Sequence, residues 1–121
     1  MIKDFIEIIR LRLNGIKLID VDESVYDKFR KYVKGHLNDP DLEIRKRLTR
    51  NYILSKDTEI IKPIQNTMMY VSTRFYGNLI IKCRVDTTGE TIVNIYNRKG
   101  KKQDFKIDKE LKEELNRKMR L

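Results

Sequence analysis

Residues 68–98 read MMYVSTRFYGNLIIKCRVDTTGETIVNIYNR, and they decide the fold. β-Branched and aromatic residues fill three runs, about 68–76, 78–86 and 91–98. The tight-turn signal Tyr76-Gly77-Asn78 parts the first two, and the short loop Asp86–Glu90 parts the last two. Side chains alternate across a strand. Assigned run by run, one face collects Met69, Val71, Thr73 and Phe75, then Leu79, Ile81, Cys83 and Val85, then Val93 and Ile95. The other collects Tyr70, Ser72, Arg74 and Tyr76, then Lys82 and Arg84, then Asn94, Tyr96 and Arg98. The first is a core face. The second is basic, with tyrosines between the cations.

Helical patterns flank this sheet. In residues 2–13, Ile2, Phe5, Ile6, Ile9 and Leu13 recur every three or four positions, and Asn14-Gly15 marks a stop. Residues 16–22 are extended. Ser24 stands as an N-cap before a second helix, 25–37, carrying Val25, Phe29, Val33 and Leu37. Asp39 as N-cap and Pro40 at the first helical position start a third, about 40–51, with Leu42, Ile44, Leu48 and Tyr52 on its apolar side. Residues 55–63 fit neither pattern clearly; Ile60, Ile61 and Ile64 are read as core anchors. After the basic loop Arg98–Lys102, a fourth strand is expected at 103–107, then a helix capped by Asp108 with the stripe Leu111, Leu115, Met119. The order is one α+β domain: helices in 1–52, a four-stranded antiparallel meander in 67–107, and a C-terminal helix in 108–121.

Composition narrows the function. The 121 residues carry 27 basic and 18 acidic side chains, a formal charge of +9. Residues 63–107 hold eight bases and three acids, so more than half of the excess lies on the sheet and its loops. A basic surface gains free energy by releasing counterions from phosphates, which points to a polyanionic partner. The same charge could also serve only to keep the surface solvated. Charges at Lys3, Asp4, Glu7, Arg10 and Arg12 break any signal-peptide or membrane-spanning pattern. With one cysteine, Cys83, no internal disulfide can form, and a cytoplasmic location is expected. There is no alanine, while Ile, Lys and Asn abound, a coding bias of AT-rich genomes such as those of phages and mobile elements.

Several chemistries are excluded. One histidine and one cysteine cannot supply a conventional zinc set. No Gly-rich phosphate loop is present. Asp20, Asp22 and Glu23 could approach Mg²⁺, but no remote acidic partner is evident, so a solvated turn is the better reading. What remains is chemistry without metal or cofactor. RNA is cut by its own 2′-hydroxyl when one group accepts that proton, cations hold the crowded phosphate and another group protonates the leaving oxygen. Tyrosines also stack on splayed bases.

The segments GNLIIKCRVDTTGETIVNIYNRKGKK (77–102) and GHLNDPDLEIRKRL (35–48) resemble the barnase–EndoU–colicin–RelE superfold of metal-independent ribonucleases, which includes phage and toxin proteins. The likeness covers about 35–107 and rests on element order and one hairpin. It implies a substrate on the sheet face away from the helices. On this reading His36 is the proton acceptor, Tyr96 a relay or stacking residue, and Arg84 and Arg98 the phosphate clamps. Arg45, Arg47, Arg74, Lys82, Lys99, Lys101 and Lys102 are the candidate nucleic-acid contacts. Each has a plainer reading: His36 as a polar helix end, the arginines of the third helix as a solvated face, Tyr96 and Arg98 as cross-strand pairs. The expected partner is nucleic acid, RNA before DNA, with no membrane involved. The competing class is a non-enzymatic phage or mobile-element protein that binds nucleic acid or inhibits a host protein; an antitoxin or host protein is then the partner.

Overall fold

The computed structural model describes residues 2–64, 69–97 and 106–121. Its centre is the hairpin of β3 (Tyr70–Tyr76) and β4 (Leu79–Asp86), closed by Gly77-Asn78. Gly77 takes φ +58°, the positive angle that a II′ hairpin turn requires at its first loop residue. Tyr76 pairs directly with Leu79 across that loop, so the two side chains share a face. The next loop, Thr87-Thr88, joins β4 to β5 (Gly89–Asn97). Asp86 Oδ1 closes it by accepting from Thr88 N at 2.8 Å and Thr88 Oγ1 at 2.6 Å.

The described sheet has five strands in the order β1-β5-β4-β3-β2. The segment left ambiguous by its sequence is β2 (Lys56–Pro63), antiparallel to β3. Two residues of the extended 16–22 segment form β1 (Asp20–Val21), which runs parallel to β5. The architecture is therefore α+β with a mixed sheet, more than an antiparallel meander. The expected strand at 103–107 lies outside the described residues up to 105, and Lys106 and Ile107 are not in a strand.

Pairing corrects the expected faces. Leu79, Ile81 and Cys83 are buried on the helix-covered face, as their alternation requires. The β3 residues beside them are Tyr76, Arg74 and Ser72, not Phe75, Thr73 and Val71. A two-residue loop preserves the facing of its flanks, so Leu79 inward means Tyr76 inward. In β5 the register shifts between the Lys82/Asn94 and Cys83/Ile92 pairs, which leaves Val93 as the extra residue. That bulge brings both Ile92 and Ile95 inward, each with no exposure.

Two apolar clusters hold the helices on this face. Val25 and Phe29 of α2 (Glu23–Tyr32) and Ile44 and Leu48 of α3 (Asp41–Leu54) pack on Ile81, Cys83, Ile92 and Ile95. Leu11 of α1 (Ile2–Leu13), Leu54, and Leu115 and Met119 of α4 (Lys109–Met119) form the second with Ile16 and Leu18. Tyr76 packs against both. Asp108 caps α4 by accepting from Leu111 N at 3.1 Å. α2 ends at Tyr32, earlier than its pattern suggests, and leaves Leu37 exposed. Asp22, not Ser24, is the N-cap of α2, and Pro40, not Asp39, is the N-cap of α3. Ile61, expected in the core, is 58% exposed, and the side chain of Ile60 lies outside the described ones.

Candidate nucleic-acid interface

Register sets out the outer sheet face row by row. Lys62, Val71, Arg84 and Thr91 lie side by side across β2, β3, β4 and β5. Thr73, Lys82 and Asn94 form the next row. Lys56, Phe75, Ile80 and Tyr96 form another. Strands β2 and β4 are two spacings apart, about 9.6 Å. Lys56 and Lys62 thus stand on one side of β3, and Lys82 and Arg84 on the other. Phe75 and Tyr96 supply aromatic surface in the last row. Thr73 and Ile80 are buried in this surface.

The two β4 cations are held differently. Lys82 Nζ donates to Thr73 Oγ1 at 2.6 Å, which lays its chain along the sheet. Arg84 is 43% exposed, and its Nε is 3.8 Å from Asp86 Oδ2, beyond hydrogen-bond reach. Among the described residues that Nε makes no hydrogen bond. Asp86 is committed to Thr88, whose hydrogen bonds are the main cause of its lowered carboxyl pKa, with Arg84 contributing less. The Arg84 side chain is thus weakly held, with its Nε buried and the side chain as a whole partly open to solvent.

Other expected contacts have structural employment. Arg74 faces the helices: its Nε donates to Ser55 Oγ at 2.6 Å and its Nη2 to Ser55 O at 3.2 Å. Arg45 donates to the carbonyls of Ile19 and Leu18 and lies 3.2 Å from Asp20, fixing the segment that leads into β1. Arg50 donates to Asn116 Oδ1 at 2.8 Å and ties α3 to α4. His36 Nδ1 is 2.7 Å from Asp39 Oδ2, and Arg47 Nε is 3.7 Å from that same oxygen. The His36 ring lies against Phe29, 5.5 Å between centroids. Phe29 belongs to the core on the helical side, so His36 and Arg84 stand on opposite sides of the sheet. The expected catalytic set is therefore divided: His36 lies in the α2–α3 turn, near Arg47 of α3, and Arg84 and Tyr96 lie on the outer face. Arg98, Lys99, Lys101 and Lys102 lie outside the described residues.

Lys56 and Lys62 escaped the sequence reading because 55–63 was not recognised as a strand. Their signal was present: lysines bracket a five-residue run in which Thr58, Ile60 and Ile61 are β-branched, a pattern that suits an outer strand. Asp20 is engaged by Arg45, and Asp22 accepts from Ser24 Oγ. Among the described residues no three His, Cys, Asp or Glu side chains gather to hold a metal. Nor is any described helix long and apolar enough to cross a membrane.

No curated protein and no solved structure matches the chain. One family model does, over residues 19–118, which takes in the whole described sheet together with α2, α3 and all but the last residue of α4. The chain belongs to the YorE family, a family of phage-type proteins.

Proposed function

We propose that this phage-type protein binds single-stranded nucleic acid, RNA in preference to DNA, across the outer face of its sheet, and acts as a binding protein rather than a nuclease. The observation that carries the reading is the paired rows on that face: Lys62 and Arg84 on either side of Val71, and Lys56 in line with Phe75 and Tyr96. Cations on both sides of β3 suit a phosphate backbone, and aromatic rings suit unstacked bases. Arg84 gives up no hydrogen bond at its Nε in taking a phosphate, only a 3.8 Å approach to Asp86. A nuclease of the ribonuclease superfold needs its proton acceptor on the substrate face, and His36 is on the other side.

Fluorescence anisotropy with a labelled oligouridine and the matching oligodeoxythymidine tests this. Micromolar binding that weakens steeply with salt, and that falls about tenfold or more in a Lys62→Glu, Arg84→Glu double variant, is expected. Absence of binding to either strand at low salt overturns the reading. RNA kept with the protein in EDTA should stay intact; cleavage leaving 2′,3′-cyclic phosphate ends would reinstate the nuclease.

A further inference from the structure

Helix α1 is turned the opposite way from what its apolar stripe demands. The stripe Ile2, Phe5, Ile6, Ile9 and Leu13 is exposed at 77, 65, 59, 43 and 84%. The buried side is the sparser one: Leu11 has no exposure, and Ile8 packs beside it. Polar ties hold that orientation. Lys46, 2% exposed on α3, reaches Glu43 at 2.9 Å and Glu7 of α1 at 3.6 Å. Arg10 pairs with Glu7 and donates to the Lys118 carbonyl of α4 at 2.9 Å. Five large apolar side chains at those exposures amount to about 600 Å², the upper end of what a monomer leaves uncovered.

The stripe has a defined spacing. Ile2, Ile6, Ile9 and Leu13 recur at four, three and four residues, the spacing of a coiled-coil seam, with Phe5 at its border. On a helical projection Leu11 lies nearly opposite the seam. Lys3 and Arg10 flank one side and Arg12 the other; the acids Asp4 and Glu7 fall towards the back. Lys3 and Arg12 are exposed. A groove of about 410 Å³ continues the patch, floored by Phe5, Ile9 and Leu18 and edged by Arg12, Lys17 and Arg45, whose acidic neighbour Asp20 is already paired with Arg45.

We infer that α1 docks an amphipathic helix of a partner protein whose apolar seam is flanked by Asp and Glu. Flanking charges choose the partner of a helical seam, and these are all basic. A second copy fits the seam but not the charges: antiparallel pairing sets like flank against like flank, Lys3 against Arg10 of the second copy, twice over. A lipid surface favours a broader apolar face than this narrow seam. The inference does not depend on nucleic-acid binding, since α1 packs with α3 and α4 on the helical side. α1 also lies outside the residues matched by the family model.

The test uses two synthetic helical peptides about three heptads long, identical in their Leu and Ile seam, one with Glu and one with Lys at every flanking position. Anisotropy with the full chain should show the Glu peptide binding about tenfold or more tightly than the Lys peptide, and an Ile6→Asp, Ile9→Asp variant losing it. Both changes are on exposed positions, and an unaltered melting curve confirms that the variant folds. No binding of the Glu peptide at about 100 μM, or equal binding of both peptides, overturns the inference. So does a dimer in sedimentation equilibrium that the double variant abolishes, which would give the face to a second copy. Co-sedimentation with phosphatidylcholine–phosphatidylglycerol vesicles that the Glu peptide fails to compete away would give it to lipid.

Discussion

The guanidinium carbon of Arg74 sits 4.7 Å from the centre of the Tyr52 ring, and its Nε donates to Ser55 Oγ. β3 is thereby fastened to the C-terminal end of α3 by one side chain, which also accompanies Asp57 at 3.8 Å. Truncating it removes a cation–π contact and leaves the Ser55 carbonyl without its donor. Arg74→Ala should cost about 2–3 kcal/mol of stability in denaturant unfolding. RNA affinity, measured below the melting temperature, should be unchanged. Loss of RNA binding without loss of stability would return Arg74 to the outer face.

Much of this fold is readable in its sequence. The periodicities of α3 and α4, the Asp108 cap of α4 and the inward face of β4 follow from local chemistry alone. Alternation within each strand alone misplaces the faces of β3, because the two-residue turn fixes the parity of Tyr76 to that of Leu79. Gly77-Asn78 already required Tyr76 and Leu79 to agree, and an arginine beside them looked unsuited to a core face. Its partners, Tyr52 and Ser55, come from a different element, and no local pattern announces them. The bulge at Val93 is similarly silent, since no Gly, Pro or other local signal marks it in the sequence. In α1 the apolar stripe is plain, but its exposure depends on the tertiary ties of Glu7, Arg10 and Lys46. The candidate site was half legible: Lys82, Arg84 and Tyr96 share a face as read, while Lys56 and Lys62 needed β2 to be seen as a strand.

The outer-face cations should be separable by salt. Each lysine or arginine that releases a counterion contributes roughly 0.7 to the slope of log affinity against log salt for a single strand. Lys62→Ala and Arg84→Ala should each lower the slope by about that amount, and the double variant by about twice as much. Arg45→Ala, whose guanidinium is spent on Ile19 and Leu18, should leave the slope as it is. An equal drop for Arg45→Ala would place the binding surface on the helical side.

Glu90 gives a pH signature. It pairs with Val85 across the hairpin and lines a cleft with Tyr52, Ile53 and Thr49. Burial lifts its carboxyl pKa, and no ion pair among the described residues relieves it. The folded protein therefore holds this proton to a higher pH than the unfolded chain does. Stability contributed by the protonated form is present below the ordinary carboxylate range and is lost as pH rises through the folded value. Glu90→Gln should raise the melting temperature near neutral pH and have little effect below about pH 4. A gain of the same size at both pH values would show that the carboxyl's charge is not the cause.

Cys83 offers a direct check on which way β3 faces. The thiol has no exposure, and burial pushes its pKa up to about 11, against the lowering pull of Arg74 and a hydrogen bond with Ser72. Native protein at about pH 8 should react with iodoacetamide at least about 100-fold more slowly than unfolded protein, since the thiolate is the reactive form. Ser72 is the direct cross-strand partner of Cys83, and directly opposed residues have Cα atoms about 4.5–5.5 Å apart. That separation falls within the range a disulfide spans. Ser72→Cys should therefore close an internal disulfide with Cys83 under mild oxidation, read as a faster non-reducing gel band and the loss of two titratable thiols. Val71→Cys, one residue away and facing outward beside Arg84, should not. Efficient closure from Val71→Cys and none from Ser72→Cys would reverse the facing of β3, and would bring Arg74 out to join Lys82 and Arg84 on the basic face.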